Sequence, residues 1–159
     1  MLSSLLCASS SKLISFETIK ASSTISNILN VGKGENVYRI CRLRIADEKP
    51  LLLETAYIPV YLCPHLESKN LTDSLYSIIS ENTGFPPGEA TETYEAINLN
   101  SNDAIQLECS SKSAALKITR VSKNTAGQIF EYCTIIARGD MNKYQITLKN
   151  KGIAYTRVI

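Results

Sequence analysis

The chain has 159 residues, 44% hydrophobic and 20% charged, with 17 basic against 15 acidic side chains and a formal net charge of +2. That is one domain's worth of chain, long enough to bury a single core. Its basic residues are scattered rather than clustered, which argues against nucleic-acid binding by these residues themselves. No apolar stretch approaches the ~18 residues needed to cross a bilayer.

Residues 1–13 are Ser-rich and aperiodic, and read as a linker or truncated end, with the folded domain expected over 14–159. Met1 to Ser10 lacks the positive start and the long apolar run of a secretory signal. Phe16 to Lys20 suggests a short helix, and Ser23 to Val31 alternates enough to suggest a first strand. Asn36 to Ala46 and Leu51 to Tyr61 alternate on either side of the polar turn Asp47-Glu48-Lys49-Pro50, which predicts a hairpin centred near Glu48. Leu71 to Asn82 carries the helical spacing Leu71, Leu75, Ile78, Ile79. Phe85 to Gly88 reads as a loop and Glu89 to Leu99 as a strand. Asn102 to Cys109 reads as a short helix with Asn102 as its cap. Ala115 to Val121 and Gln128 to Ala137 flank the turn Lys123 to Gly127, and a last strand runs from Lys143 to Leu148. The β-prone tail Gly152 to Ile159 is expected to pair with a sheet edge. Strands dominate and return as hairpins, so the class is α+β, an antiparallel sheet with a few helices.

Five cysteines, Cys7, Cys41, Cys63, Cys109 and Cys133, form an odd number with no C-x-x-C pair. They read as reduced thiols of a cytoplasmic protein. The one histidine, His65, follows Cys63-Pro64 and is too isolated for a metal site. Gly32-Lys33-Gly34 lacks the rest of a phosphate loop. Neither a metal nor a cofactor is expected, and the residues for nucleophilic catalysis are poorly supplied.

The most informative stretch is Val37 to Tyr61. Residues two apart on a strand share a face at about 6.8 Å spacing, so Arg42 and Arg44 point the same way as Tyr38 and Ile40. The hairpin turn puts Glu54 across from Arg42. Two guanidiniums and a carboxylate among apolar neighbours suit either a structural salt bridge at a solvated face or a pocket for a small anion.

The pattern R-L-R-x-A-D-x-x-P-x-x-x-E-x-x-Y-x-P, from Arg42 to Pro59, resembles the opening hairpin of the UTRA domain, the effector-sensing half of GntR-family transcriptional regulators of the HutC branch. Ser74-Leu75-Tyr76, Glu131-Tyr132, and Arg138-Gly139-Asp140 with Tyr144 follow in the family's order. The similarity spans roughly residues 14 to 150. It implies a chorismate lyase-like fold and an effector site formed by Arg42, Arg44, Glu54, Ser74, Tyr76 and Glu131. It also implies a homodimer whose intact form binds DNA through an N-terminal winged helix-turn-helix that these residues do not contain. The implied partner is a small anionic or sugar-like metabolite, without membrane or enzymatic activity. Two departures stand out. Ala137 lies where relatives often carry an aromatic residue, and Glu17 follows Phe16 where phosphosugar-binding relatives tend to have a small hydroxyl. An acidic side chain there would repel a phosphate. The alternatives are a chorismate lyase-like enzyme acting on a small carboxylate and a stand-alone dimerisation module.

Overall fold

The computed structural model describes residues 9–68, 71, 75–150 and 152–158. Six strands form one antiparallel sheet: β1 (Ser9–Lys20), β2 (Asn36–Ala46), β3 (Lys49–Pro59), β4 (Pro87–Asn98), β5 (Ala114–Asn124) and β6 (Ile129–Arg138). Their order across the sheet is β1-β2-β3-β6-β5-β4. Strands β7 (Lys143–Lys149) and β8 (Gly152–Val158) pair with each other as a separate two-stranded ribbon, so the tail finds its partner in the preceding strand rather than at an edge of the main sheet. Helices α1 (Ser23–Leu29), α2 (Leu75–Thr83) and α3 (Ser101–Gln106) complete the described fold, with single 3₁₀ turns at Val60–Leu62 and Leu66–Ser68.

The N-terminal part corrects two expectations. Phe16 to Lys20 is not helical but the end of β1, which pairs with β2 from Ser9↔Ala46 to Lys20↔Asn36. Strand β1 thus starts ahead of the boundary expected at residue 14. An eleven-residue partner offers a full ladder of backbone groups, and that outweighs local preference in so short a window. Phe16 stacks on Tyr38 with ring centroids 5.3 Å apart. Ser23 to Val31 is not a strand, since Ser23–Leu29 is α1. The Ser22 hydroxyl accepts from the Ile25 amide at 3.3 Å, and Asn30 closes the helix in the left-handed region at φ 54°. These are a helix start and stop in the usual places. Likewise α3 is capped by Asn100 rather than Asn102, its side chain accepting from the Asp103 amide at 2.8 Å.

The central hairpin matches the expectation. Ala46 pairs with Lys49 around a two-residue turn in which Asp47 and Glu48 both have positive φ, 49° and 61°. That is the backbone sense that follows the right-handed twist of the flanking strands.

Both faces of the sheet are covered. One carries Tyr38, Ile40, Ala56, Ile58, Ile118, Cys133 and Ile135 beneath Leu75 and Ile79 of α2 together with Leu62, Cys63, Leu66 and Leu71. The opposite face packs Leu43, Leu53 and Ala115 against Ala104 and Leu107 near α3, and Val37 and Tyr132 against Ile25 and Leu29 of α1. Two irregularities matter on the α2 face. Arg44 pairs with Leu52 while Ile45 pairs with Pro50, leaving Leu51 as an extra residue. Ser122 pairs with Glu131 while Lys123 pairs with Ile129, leaving Phe130 extra. A bulge lets neighbouring residues escape strict alternation, and so Phe130 and Glu131 are both buried.

Arg138-Gly139-Asp140 ties the end of β6 to its neighbours. Arg138 bonds both Asp140 carboxylate oxygens at 3.0 and 2.8 Å, and donates to the carbonyls of Pro50 at 3.3 Å and Leu107 at 3.1 Å. A Cβ on Gly139 would lie 2.7 Å from the Ala114 carbonyl oxygen, so only glycine fits.

Phe130 is fully buried and meets the Tyr76 ring edge-on, with centroids 5.5 Å apart. Phe130→Ala is expected to cost about 3–5 kcal/mol, read as a lower urea midpoint with an unchanged slope.

Candidate functional site

Cross-strand register builds a polar cluster on the α2 face. Arg42 lies directly opposite Glu54, and its Nη2 donates to Glu54 Oε2 at 3.1 Å. The pair is largely shielded, with side chains 8% and 16% exposed. Arg44 is half-buried and donates from Nη1 to the Ser11 hydroxyl of β1 at 2.6 Å. Three of the six expected site residues are therefore brought to one place by the β2–β3 hairpin.

Tyr76 and Glu131 come from elsewhere. Tyr76 lies in the first turn of α2, and its hydroxyl donates to Glu131 Oε2 at 2.8 Å. The Ser122 hydroxyl on β5 donates to the same oxygen at 3.1 Å. Glu131 is 3% exposed, so it faces the interior and not solvent. Ser74 lies outside the described residues.

Sequence reasoning missed the other side of the cluster. Arg120 on β5 faces Glu92 on β4 in register, with Nε 2.6 Å from Glu92 Oε1 and the two side chains 20% and 10% exposed. Arg120 Nη1 also reaches the Tyr76 hydroxyl at 3.4 Å, and the Tyr94 hydroxyl donates to Glu92 Oε2. The signal was present in the alternation Leu116, Ile118, Arg120, Ser122, which puts a cation and a hydroxyl on an otherwise apolar strand face.

Two further placements bear on the ligand. Glu17 does not approach the cluster: it pairs with Arg39 at 3.1 Å. Phe16 pairs with Ile40 and packs with the α2-face core, so the next residue along the strand, Glu17, turns to the opposite face. The expected repulsion of a phosphate by Glu17 therefore falls away. Ala137 is fully buried and packs in the core on the α2 face.

Electrostatics follow the geometry. Burial pushes the Glu131 carboxyl above its ordinary value of 4.5, with Glu54 adding to the rise, while Arg120 and the bonds from Tyr76 and Ser122 oppose it. Burial and the charge of Glu131 hold Tyr76 well above its ordinary value. Burial works against the charge on Arg120, yet Tyr76, Glu92 and Glu131 more than offset it and hold its pKa above the ordinary value. Cys133 sits at the centre of the cluster, where burial first, then Glu131 and Glu54, raise its thiol against the pull of Arg120 and Arg42. A surface hollow of about 430 Å³ lies elsewhere, lined by Asn30, Val31, Gly32, Glu35 and Tyr61. None of the expected site residues lines it, and it gathers no opposed charges, so the charged face of the sheet is the better candidate.

The family follows from this arrangement and from comparison with known proteins. A family model described as the UTRA domain matches residues 7–143. The chain belongs to the UTRA domain family. It is 26% identical over 130 residues to the HTH-type transcriptional repressor NagR of Bacillus subtilis (strain 168), covering 82% of this chain and 54% of that protein. It is 27% identical over 140 residues to the HTH-type transcriptional regulator GmuR of the same organism, covering 88% and 58%. The chain thus spans a little over half the length of these curated relatives. Among solved structures, a GntR-family transcriptional regulator from Enterococcus faecalis V583 superposes with a TM-score of 0.81 at 27% identity, covering 87% of this chain and 99% of that one. PhnF from Mycobacterium smegmatis superposes with a TM-score of 0.85 at 20% identity, covering 89% and 63%, which supports the α+β fold. Within the described residues, no helix is long and apolar enough to cross a membrane.

Removing Glu54 takes the carboxylate partner from the shielded Arg42 charge in this UTRA domain. Glu54→Ala is expected to destabilise by about 3 kcal/mol, measured by chemical denaturation, with Arg42→Met in the same chain recovering part of the loss. A second expectation concerns pH. A carboxyl whose folded pKa is raised contributes most below its unfolded value, and that contribution is lost as pH rises through the folded pKa. The stability of Glu131→Gln relative to the native chain should therefore increase as pH rises above 4.5, checked by melts across pH 4 to 8.

Proposed function

We propose that this UTRA domain is the effector-sensing and dimerisation part of a cytoplasmic GntR/HutC-type transcriptional regulator. Its ligand is a small anionic or sugar-like metabolite held by Arg42, Arg44, Glu54, Ser74, Tyr76 and Glu131. The observation that carries this reading is the shielded Arg42–Glu54 pair, set on the sheet face that α2 covers, where Tyr76 of α2 meets Glu131. Burying charge is costly unless it is paired. A face that gathers several arginines and carboxylates is less economical as packing than as a receptor. An arginine fork binds carboxylate or phosphate through parallel hydrogen bonds, and the carboxylates accept from ligand hydroxyls or amines.

In the intact regulator a DNA-reading domain would precede this one, as the family resemblance implies, and the HTH-type names of the curated relatives agree with such a domain being present. Effector binding would favour one dimer geometry, so that paired DNA-binding heads match or miss their half-sites. That requires unequal affinity for the two states. The curated relatives are regulators, which favours sensing over catalysis on this fold.

The test is a thermal-shift screen of amino sugars, sugar phosphates and small carboxylates, followed by Arg44→Ala. A compound that raises the melting temperature of the native chain should lose at least about tenfold in affinity in that variant, measured by calorimetry. The unliganded variant should melt within a few degrees of the native chain. Unchanged affinity would remove Arg44 from the site and count against the effector reading.

A further inference from the structure

We propose that Arg120, held in place by Glu92, is a second ligand-binding cation that selects effectors carrying a carboxylate at the end remote from the group bound by Arg42 and Arg44. This inference rests on the effector-site reading and deepens it.

The argument starts from strand register. Arg120 pairs with Cys133 on β6, and Cys133 pairs with Ala56 on β3, two residues along the strand from Glu54 and on its face. Arg120 therefore projects from the same face as Arg42, three strands away, at a separation of about 14 Å between their strands. Both guanidiniums act on the Cys133 thiol between them, as do Glu54 and Glu131. The two cations thus flank one region of the α2 face, a separation that an extended six-carbon chain with a charged group at each end can span.

The hydrogen bonds fix the orientation of Arg120. Glu92 takes its Nε at 2.6 Å, and the Tyr76 hydroxyl lies 3.4 Å from Nη1. A guanidinium carries five N–H donors in a rigid fork. Among the described residues these bonds engage Nε and the fringe of Nη1, so the Nη1–Nη2 edge keeps donors for a ligand. That edge matches a carboxylate bidentately. The Tyr76 hydroxyl stands beside it with its own proton donated to Glu131, so a carboxylate there is met by the N–H groups of the guanidinium. Were Arg120 only a strut between β4 and β5, its partner Glu92 would suffice and no link to Tyr76 in the expected site would be needed.

The test uses two probes that share a six-carbon chain and a terminal phosphate, 6-phosphogluconate and glucitol 6-phosphate. They differ at the far end, a carboxylate in the first and a hydroxymethyl in the second. Titration calorimetry on the full 159-residue chain should show 6-phosphogluconate binding about tenfold more tightly, the worth of a charge-assisted hydrogen bond. Arg120→Met should bring the two affinities together, and Arg120→Lys, which keeps charge but loses the fork, should cut the preference below about threefold. Arg42→Met should weaken both probes alike. Equal binding by the native chain, or a tenfold preference surviving in Arg120→Lys, would overturn the proposal. Should neither probe bind the native chain, the effector reading for phosphorylated acids fails along with it. Should both bind equally and still respond to Arg42→Met, the role given to Arg120 fails alone. If Arg120→Met does not fold, Arg120→Lys decides.

Discussion

A guanidinium shut away from water needs a negative partner within hydrogen-bond reach, and in this domain strand pairing supplies one twice. Arg42 finds Glu54 because the Asp47-Glu48 turn and the one-residue bulge at Leu51 together fix the β2–β3 register. Arg120 finds Glu92 because β4 and β5 align them as direct neighbours. A slip of one residue in either hairpin would send each charge to the opposite face and leave its partner behind. The register that buries the apolar side chains on the α2 face is therefore the same register that neutralises its cations. Folding and site assembly obey one constraint.

The bulges at Leu51 and Phe130 show how the sheet accommodates polar groups within an apolar face. Strict alternation would point Glu131 and Phe130 to opposite sides. The extra residue in β6 lets the phenyl ring fill the core against Tyr76 while the carboxylate reaches Tyr76 and Ser122 from the same strand. Tyr76 consequently does two things, edge-packing on Phe130 and hydrogen-bonding to Glu131. Its orientation from α2 is set by both an apolar and a polar contact.

Much of this was legible in the sequence, for identifiable reasons. The central hairpin announced itself through alternation on either side of a polar turn, and counting outward from Glu48 reached the Arg42–Glu54 pairing that the turn and the Leu51 bulge together produce. The long strands β4, β5 and β6 carried period-two patterns that local reading catches. The N-terminal segment failed because its signals are short and mixed. Ile25, Asn27 and Leu29 satisfy a strand pattern as well as a helical one, and the decisive cues were the capping Ser22 and the left-handed Asn30. Phe16 to Lys20 is a strand because β2 lies beside it, which no five-residue window records. Arg120 escaped notice since a lone arginine in an alternating strand reads as surface. Only the fold reveals that its face is covered by α2, and that the nearest carboxylate comes from a strand about thirty residues earlier in sequence.

Glu92 is shared. One of its oxygens holds Arg120, and the other accepts from Tyr94, whose ring meets Tyr144 edge-on with centroids 5.7 Å apart. Tyr144 stands at the root of β7, the first strand of the small ribbon that joins no other sheet. A change at Arg120 therefore reaches Tyr94 through one carboxylate, and Tyr94 touches the first strand of that ribbon. The charges under α2 and the two-stranded ribbon thus meet through a shared carboxylate and two aromatic rings, so the ribbon is footed on the same face that carries the cations.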